Sequence, residues 1–237
     1  MSIKKFKIHI FSDGANLKSI ISLNKNSLVK GFTTNPTLMK KAGIKNYKKF
    51  ASQVLFAIKK KPVSFEVFSD DFEVMRKQAM EISSWGKNTF AKIPITNSKG
   101  KSSLKLIKEL HSLGIKINVT AVFTIDQVKK ILEITNNKTE IYISIFAGRI
   151  ADTGVDPIKT IKYSVKLKKN KKNVKYIWAS TREILNIYQA ENCKCDIITV
   201  PPDFVKKLNL YKKNLIKYSI ETSKTFFQDG LKSKFKI

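Results

Sequence analysis

Eight short β-rich segments, helical periodicity between most of them, and no Gly/Ser/Pro linker across 237 residues predict an α/β chain: a single (β/α)8 TIM barrel with a C-terminal helical extension. The barrel is read as one domain over residues 1–237, with about 204–237 as the extension. The rival is an open doubly wound sheet. It is disfavoured because no glycine-rich dinucleotide or phosphate-loop fingerprint follows the first candidate strand.

The candidate strands are 7–11, 27–32, 62–68, 89–93, 116–119, 140–146, 174–179 and 196–200. The clearest helix between them carries Tyr47, Phe50, Ala51, Val54, Leu55 and Ile58, whose spacing of three and four makes one apolar face. A second places Val128, Ile131 and Leu132 together and starts at Thr124, with Gln127 three residues later as a capping box. Beyond Asp203 the chain reads as helix. Its Phe226, Phe227 and Phe235 are unusual for a tail and point either to packing on the barrel or to an oligomer contact.

The longest nearly unbroken apolar stretches, 117–125 and 141–148, fall far short of the roughly 20 residues a membrane helix needs. Lys4, Lys5 and Lys7 interrupt the opening segment where a signal peptide would carry its apolar core, so the expected location is the cytoplasm, without membrane attachment. Cys193 and Cys195 flank Lys194, with no second Cys or His pair to complete a metal site and too little separation to staple the fold; neither metal nor disulfide is predicted.

The net charge is +28, from 43 lysines and three arginines against 18 acidic residues. Such a chain could bind phosphate backbones non-specifically at low salt. Yet the lysines run along nearly the whole sequence, with short clusters at 59–61 and 168–172, and are not gathered with aromatics on one recognition element. No specific nucleic-acid partner is predicted. The field would instead steer anionic substrates toward a cleft.

Lys92 stands apart from the other lysines because Thr89-Phe90-Ala91-Lys92-Ile93-Pro94-Ile95 reads as a buried strand. Burial penalises an ammonium and makes available the neutral amine that attacks a carbonyl. The plainer alternative is a stem packed at the barrel rim with its ammonium in water. The strand ends of such a barrel converge on one face, where Asp13, Thr33, Thr34, Asn35, Glu66, Lys92, Asn118, Thr120, Ser144, Arg149, Ser180 and Arg182 would meet. An amine, carboxylates, hydroxyls, amides and guanidinium groups suit a carbonyl-bearing, phosphorylated molecule. Two of the three arginines fall in this set, where a planar fork would hold two phosphate oxygens; a structural ion pair is the alternative reading. Ser180, with Glu183 three residues on, could also cap the next helix, itself a good phosphate site. His9, beside or within a strand, and His111, at a helix end, are assigned no chemistry.

Five motifs in these positions are Gly31-Phe32-Thr33-Thr34-Asn35-Pro36-Thr37, Ala91-Lys92-Ile93-Pro94-Ile95-Thr96, Asn118-Val119-Thr120-Ala121-Val122-Phe123, Ser144-Ile145-Phe146-Ala147-Gly148-Arg149 and Ala179-Ser180-Thr181-Arg182. By them the chain resembles the transaldolase and fructose-6-phosphate aldolase family of class I Schiff-base enzymes, in the family's order and over nearly its whole length. The resemblance implies that Lys92 attacks the ketone of a ketose phosphate, with Asp13 as acid/base and Glu66 and Thr120 holding the proton-shuttling water. It also implies that Asn35, Asn118 and Ser144, with Thr33, Thr34 and Phe146 nearby, position the three-carbon unit, and that Arg149, Ser180 and Arg182 grip phosphate. Neither metal nor organic cofactor is implied. The implied partners are sugar phosphates and further copies of the chain in a homo-oligomer.

Glu66 stands where the aldolases of the family tend to carry glutamine, and Phe146 where they tend to carry tyrosine. Both choices resemble transaldolase, so transfer of a dihydroxyacetone unit to an aldose phosphate, in the pentose phosphate pathway, is expected over aldol release. Ile145 in place of a common proline, Thr181 in place of an aromatic residue, and Gly14-Ala15-Asn16 after Asp13 depart from the family pattern. They leave open a specialised role in sugar modification. The non-enzyme alternatives are a basic nucleic-acid binder and a catalytically dead barrel.

Overall fold

In the computed structural model, which describes residues 6–233, eight parallel strands close into a barrel in chain order. Lys4 and Lys5, used in the signal-peptide argument, and Phe235 lie outside the described residues. The strands are β1 (His9–Asp13), β2 (Val29–Thr33), β3 (Val63–Glu66), β4 (Thr89–Pro94), β5 (Ile117–Val122), β6 (Ile141–Ile145), β7 (Val174–Trp178) and β8 (Ile197–Val200). β8 pairs back onto β1, with Phe11 opposite Thr199. All eight predicted segments overlap a strand. Several strands run further toward their C-termini than the apolar pattern indicates, β1 to Asp13 and β5 to Val122. Ladder pairing uses backbone groups and tolerates polar side chains, as in the Asp13–Thr33 and Pro94–Thr120 pairs.

Alternation along the strands sorts side chains into two apolar clusters. The larger lies between strands and helices and takes Ala91 and Ile93 from β4 and Val119 from β5. The smaller fills the lumen with Phe11, Phe90, Tyr142, Ile177 and Ile197. Phe90 and Tyr142 stack with centroids 4.0 Å apart, and Phe11 meets Tyr142 edge-on at 6.1 Å. Gly31 makes room for this plug: a Cβ there would lie 2.5 Å from the Phe11 ring.

The helix Tyr47–Ala57 buries Phe50, Ala51, Val54 and Leu55 as its spacing predicts, and Asn46 caps it by accepting from the Lys49 amide at 2.9 Å. The predicted capping box opens the helix Ile125–Ile134: Thr124 Oγ1 accepts from the Gln127 amide at 3.2 Å, and Gln127 Oε1 accepts from the Thr124 amide at 3.1 Å. Such a cap contributes about 1 kcal/mol.

After β8 come a short helix, Pro202–Lys207, a single turn, Leu208–Leu210, and the helix Leu215–Ser233. No residue of this last helix is buried, and Phe226 and Phe227 are 72% and 68% exposed. The alternative in which these aromatics pack on the barrel is therefore corrected. Among the described residues no helix is long and apolar enough to cross a membrane.

Candidate active site

Register places the central pair. β3 and β4 align Glu66 with Lys92, and β4 and β5 align Lys92 with Asn118. Lys92 Nζ lies 2.9 Å from Glu66 Oε2 and donates to the Thr34 carbonyl at 3.3 Å. The Lys92 side chain is only 7% exposed, so its ammonium does not reach out to water as the rim reading would have it. Removing that cation from water is costly, and the carboxylate beside it offsets the penalty.

Asp13, at the end of β1, accepts from Thr33 Oγ1 at 2.8 Å, and the Thr33 hydroxyl lies 2.6 Å from Thr199 Oγ1. Burial raises the Asp13 carboxyl above its ordinary range, and the Glu66 charge adds to the rise. Lys92 and the Thr33 hydrogen bond pull the other way without cancelling it. The site thus sets a carboxyl that holds its proton more readily beside a carboxylate committed to the ammonium.

Across the lumen Asn118 is fully buried: its Nδ2 donates to Ser64 Oγ at 3.0 Å, and its Oδ1 accepts from Ser144 Oγ at 2.7 Å. This chain ties β3, β5 and β6 together and holds the Asn118 amide in one orientation. Thr120 Oγ1 and Thr34 Oγ1 are buried without a hydrogen-bond partner among the described residues. Asn35 caps the helix Pro36–Lys41 by accepting from the Leu38 amide at 2.9 Å, which commits its oxygen. Phe146 is half-buried just beyond β6, with Phe123 5.7 Å away and the Arg149 guanidinium 5.5 Å from its ring centre.

The first turn of the helix Ala147–Asp152, which carries Arg149, meets the segment after β7 at Ser180 and Arg182. A Cβ on Gly148 would fall 1.6 Å from the Ser180 carbonyl oxygen, so only glycine permits the approach. Ser180 adopts a left-handed backbone, φ 64°, and the next helix starts at Leu185 with Ile184 at its cap, so the capping role read for Ser180 is corrected. A left-handed residue cannot serve as an extended N-cap, and Asn186 instead accepts the Arg182 and Glu183 amides at 2.9 and 3.1 Å.

Arg182 is not an open fork. Its Nε donates to Asp152 Oδ1 at 2.9 Å and its second nitrogen to Oδ2, so the alternative of a structural ion pair is realised at this arginine. Arg149 is exposed and has no ion pair among the described residues. Hydrogen bonding from Arg182, with Arg149 adding to the field, holds the Asp152 carboxyl below its usual range.

Sequence reasoning missed Ser64, Thr199 and Asp152. The first two were accessible from alternation, since Ser64 is two residues before Glu66 and Thr199 two after the lumenal Ile197. Asp152 ends the same short helix that begins at Ala147 and carries Arg149. His9 opens β1 at the opposite mouth, while His111 is buried in the last turn of the helix Leu104–Ser112, with neither ring nitrogen partnered among the described residues. No group of three His, Cys, Asp or Glu among the described residues is arranged to hold a metal ion.

A parallel barrel that gathers a buried lysine, two carboxylates and a hydroxyl–amide network at the C-terminal ends of its strands has the layout of a (β/α)8 enzyme. The chain belongs to the transaldolase/fructose-6-phosphate aldolase family, whose sequence pattern matches residues 10–235, and it is a transaldolase-like transferase. It is 35% identical over 201 residues to a protein named probable transaldolase from Nitrosopumilus maritimus, covering 84% of this chain and 86% of that one. A protein of the same name from a Thermoanaerobacter species is 33% identical over 228 residues, covering 96% and 99%. Among solved structures, CdNal from Clostridium difficile in complex with mannosamine superposes with a TM-score of 0.53 at 14% identity, covering 94% of this chain and 82% of that one. KGPDC from Streptococcus mutans gives a TM-score of 0.55 at 9% identity, covering 83% and 88%. At those identities the likeness is one of fold.

Proposed function

We propose that the protein transfers a dihydroxyacetone unit from a ketose phosphate to an aldose phosphate through a Schiff base on Lys92. The observation that carries this reading is the buried Lys92 ammonium 2.9 Å from Glu66, with the Asp13 carboxyl in the same electrostatic field. Lys92 gives up a proton and adds to the ketone; the carbinolamine loses water, and a protonated imine remains. Asp13 then takes the proton of the hydroxyl next to the breaking carbon–carbon bond. The bond electrons pass into the imine and leave an enamine in place of a free carbanion. The first aldose phosphate leaves, the enamine adds to the aldehyde of the second, Asp13 returns its proton, and water frees the new ketose from Lys92.

Glu66 and Thr120 are the groups that hold the water exchanged in imine formation, and the unpartnered Thr120 hydroxyl supports that role. Asn118, oriented by Ser64 and Ser144, and Asn35 position the three-carbon unit, with Thr33, Thr34 and Phe146 bounding it. Arg149 and Ser180 hold the phosphate, and Arg182 joins them only by exchanging Asp152 for the ligand. Glu66 and Phe146 favour transfer over release. In assays with fructose 6-phosphate, erythrose 4-phosphate is expected to draw the three-carbon unit into a new ketose phosphate; free dihydroxyacetone as the dominant product would overturn the transfer reading.

The protein is proposed to act in the cytoplasm as one barrel unit, with its C-terminal extension serving as an oligomer contact. The helix Leu215–Ser233, exposed along its whole length with Leu215, Ile216, Phe226 and Phe227 uncovered, supports that assembly. Light scattering is expected to give a multiple of the 27.0 kDa chain mass, and a strictly monomeric mass would refute it.

A further inference from the structure

At the mouth of the barrel opposite Lys92, the N-terminal strand ends and neighbouring loops border an open well of about 490 Å³. Six lysines line it: Lys30, Lys59, Lys60, Lys87, Lys116 and Lys175. They make up six of its thirteen lining residues, against 43 lysines in 237 residues overall, so the ring exceeds what composition alone would place there. Its floor is the aromatic plug of Phe11, Phe90 and Tyr142, which also fills the lumen between the well and Lys92.

Charge in the well is poorly compensated. Among the described residues Glu140 is the single carboxylate on its lining, and it bridges Lys116 and Lys175 at 3.8 Å each, within ion-pair range of both but beyond hydrogen-bond length. Lys116 is held in place over the floor, 5.6 Å from the centre of the Phe90 ring, and donates to the Lys87 carbonyl at 3.1 Å. His9, on the same wall, registers the field: after burial, Lys175 and Lys30 are the largest influences holding its imidazole below the usual range.

We propose that this well is a binding site for a small polyphosphorylated ligand, distinct from the sugar-phosphate site at the other mouth. A single phosphate would leave most of the ring uncompensated, whereas a di- or triphosphate chain places several charges among lysines converging from several strands and loops. A nucleic acid is the less suitable occupant. It needs an extended track for its backbone, and these six lysines ring one local concavity, open to solvent, at the end of the barrel. Lys59 and Lys60 belong to a lysine run that the catalytic site does not use.

The test is calorimetric titration of the full-length protein with inorganic tripolyphosphate at physiological salt. One saturable site is expected, at least about tenfold weaker in Lys30→Gln/Lys175→Gln. It should be unchanged in Lys105→Gln/Lys130→Gln, which removes the same charge from exposed helix faces, and in Arg149→Gln, which alters the other mouth. A nucleoside triphosphate binding more tightly than tripolyphosphate would assign the ligand to the nucleotides; equal binding would assign it to the phosphate chain alone. The proposal is overturned by the absence of a saturable site, by equal weakening in both lysine pairs, by loss in Arg149→Gln, or by an oligonucleotide that displaces tripolyphosphate from the well and binds there more tightly. None of these outcomes depends on transfer activity.

Discussion

Replacing Lys92 with arginine is expected to abolish covalent trapping and to lower turnover on the order of 10⁴-fold or more, the scale of loss when a covalent nucleophile is removed. In the wild-type protein, borohydride reduction in the presence of fructose 6-phosphate should leave a stable adduct on the peptide containing Lys92. Arginine is the informative replacement because it keeps a cation against Glu66 and supplies no amine nucleophile. Lys92→Ala would instead strand the Glu66 carboxylate, a change that can cost about 3–5 kcal/mol when a buried pair is broken. Loss of activity in the alanine variant alone would therefore mix chemistry with folding. Intact mass measurement of Lys92→Arg separates them, and an adduct or turnover that survived would exclude Lys92 as the nucleophile.

Asp13→Asn is expected to lower turnover by about 10²–10⁴, the usual contribution of one general acid/base, while still allowing the imine to be trapped on Lys92. Proton transfer at carbon–carbon cleavage is thereby separated from imine formation. The pH dependence follows from the same carboxyl. As a base Asp13 must be ionised, and its raised pKa means that activity is lost as pH falls while still above the 3.8 of an ordinary aspartate. The stability consequence has the opposite sense. The folded protein binds this proton more tightly than the unfolded chain, so ionising Asp13 destabilises the fold as pH rises from 3.8 through the folded pKa. At neutral pH Asp13→Asn should melt at a higher temperature than the wild type, and the difference should shrink as both approach pH 3.8. An acid limb at an unshifted carboxylate pKa, or a less stable asparagine variant, would argue against a base held at a cost to stability.

Much of this protein is legible along the chain because a (β/α)8 barrel repeats one local rule. Each strand declares itself by a short apolar run, and the following helix by its three-and-four spacing, as in residues 47–58. Polar residues at strand ends then mark one mouth of the barrel, which is why Lys92, Glu66, Asn118 and Asp13 can be named together from the sequence. Ser64 and Thr199 were missed although they obey the same alternation. A hydroxyl among apolar neighbours carries no signal of its partner, and both act here through hydrogen bonds from other strands.

Strand and helix order, the capping box at Thr124, the polar residues at the C-terminal strand ends and the family of the chain are all written in the linear chain. They follow from periodicity and short motifs, which are properties of neighbours along the backbone. Folding in three dimensions was needed to fix the Arg182 fork on Asp152, to set Ser180 left-handed against Gly148, and to bring six lysines from different strands and loops to one well. Each depends on which segments barrel closure brings together, and a charge or hydroxyl in the chain carries no label for the partner that closure will give it.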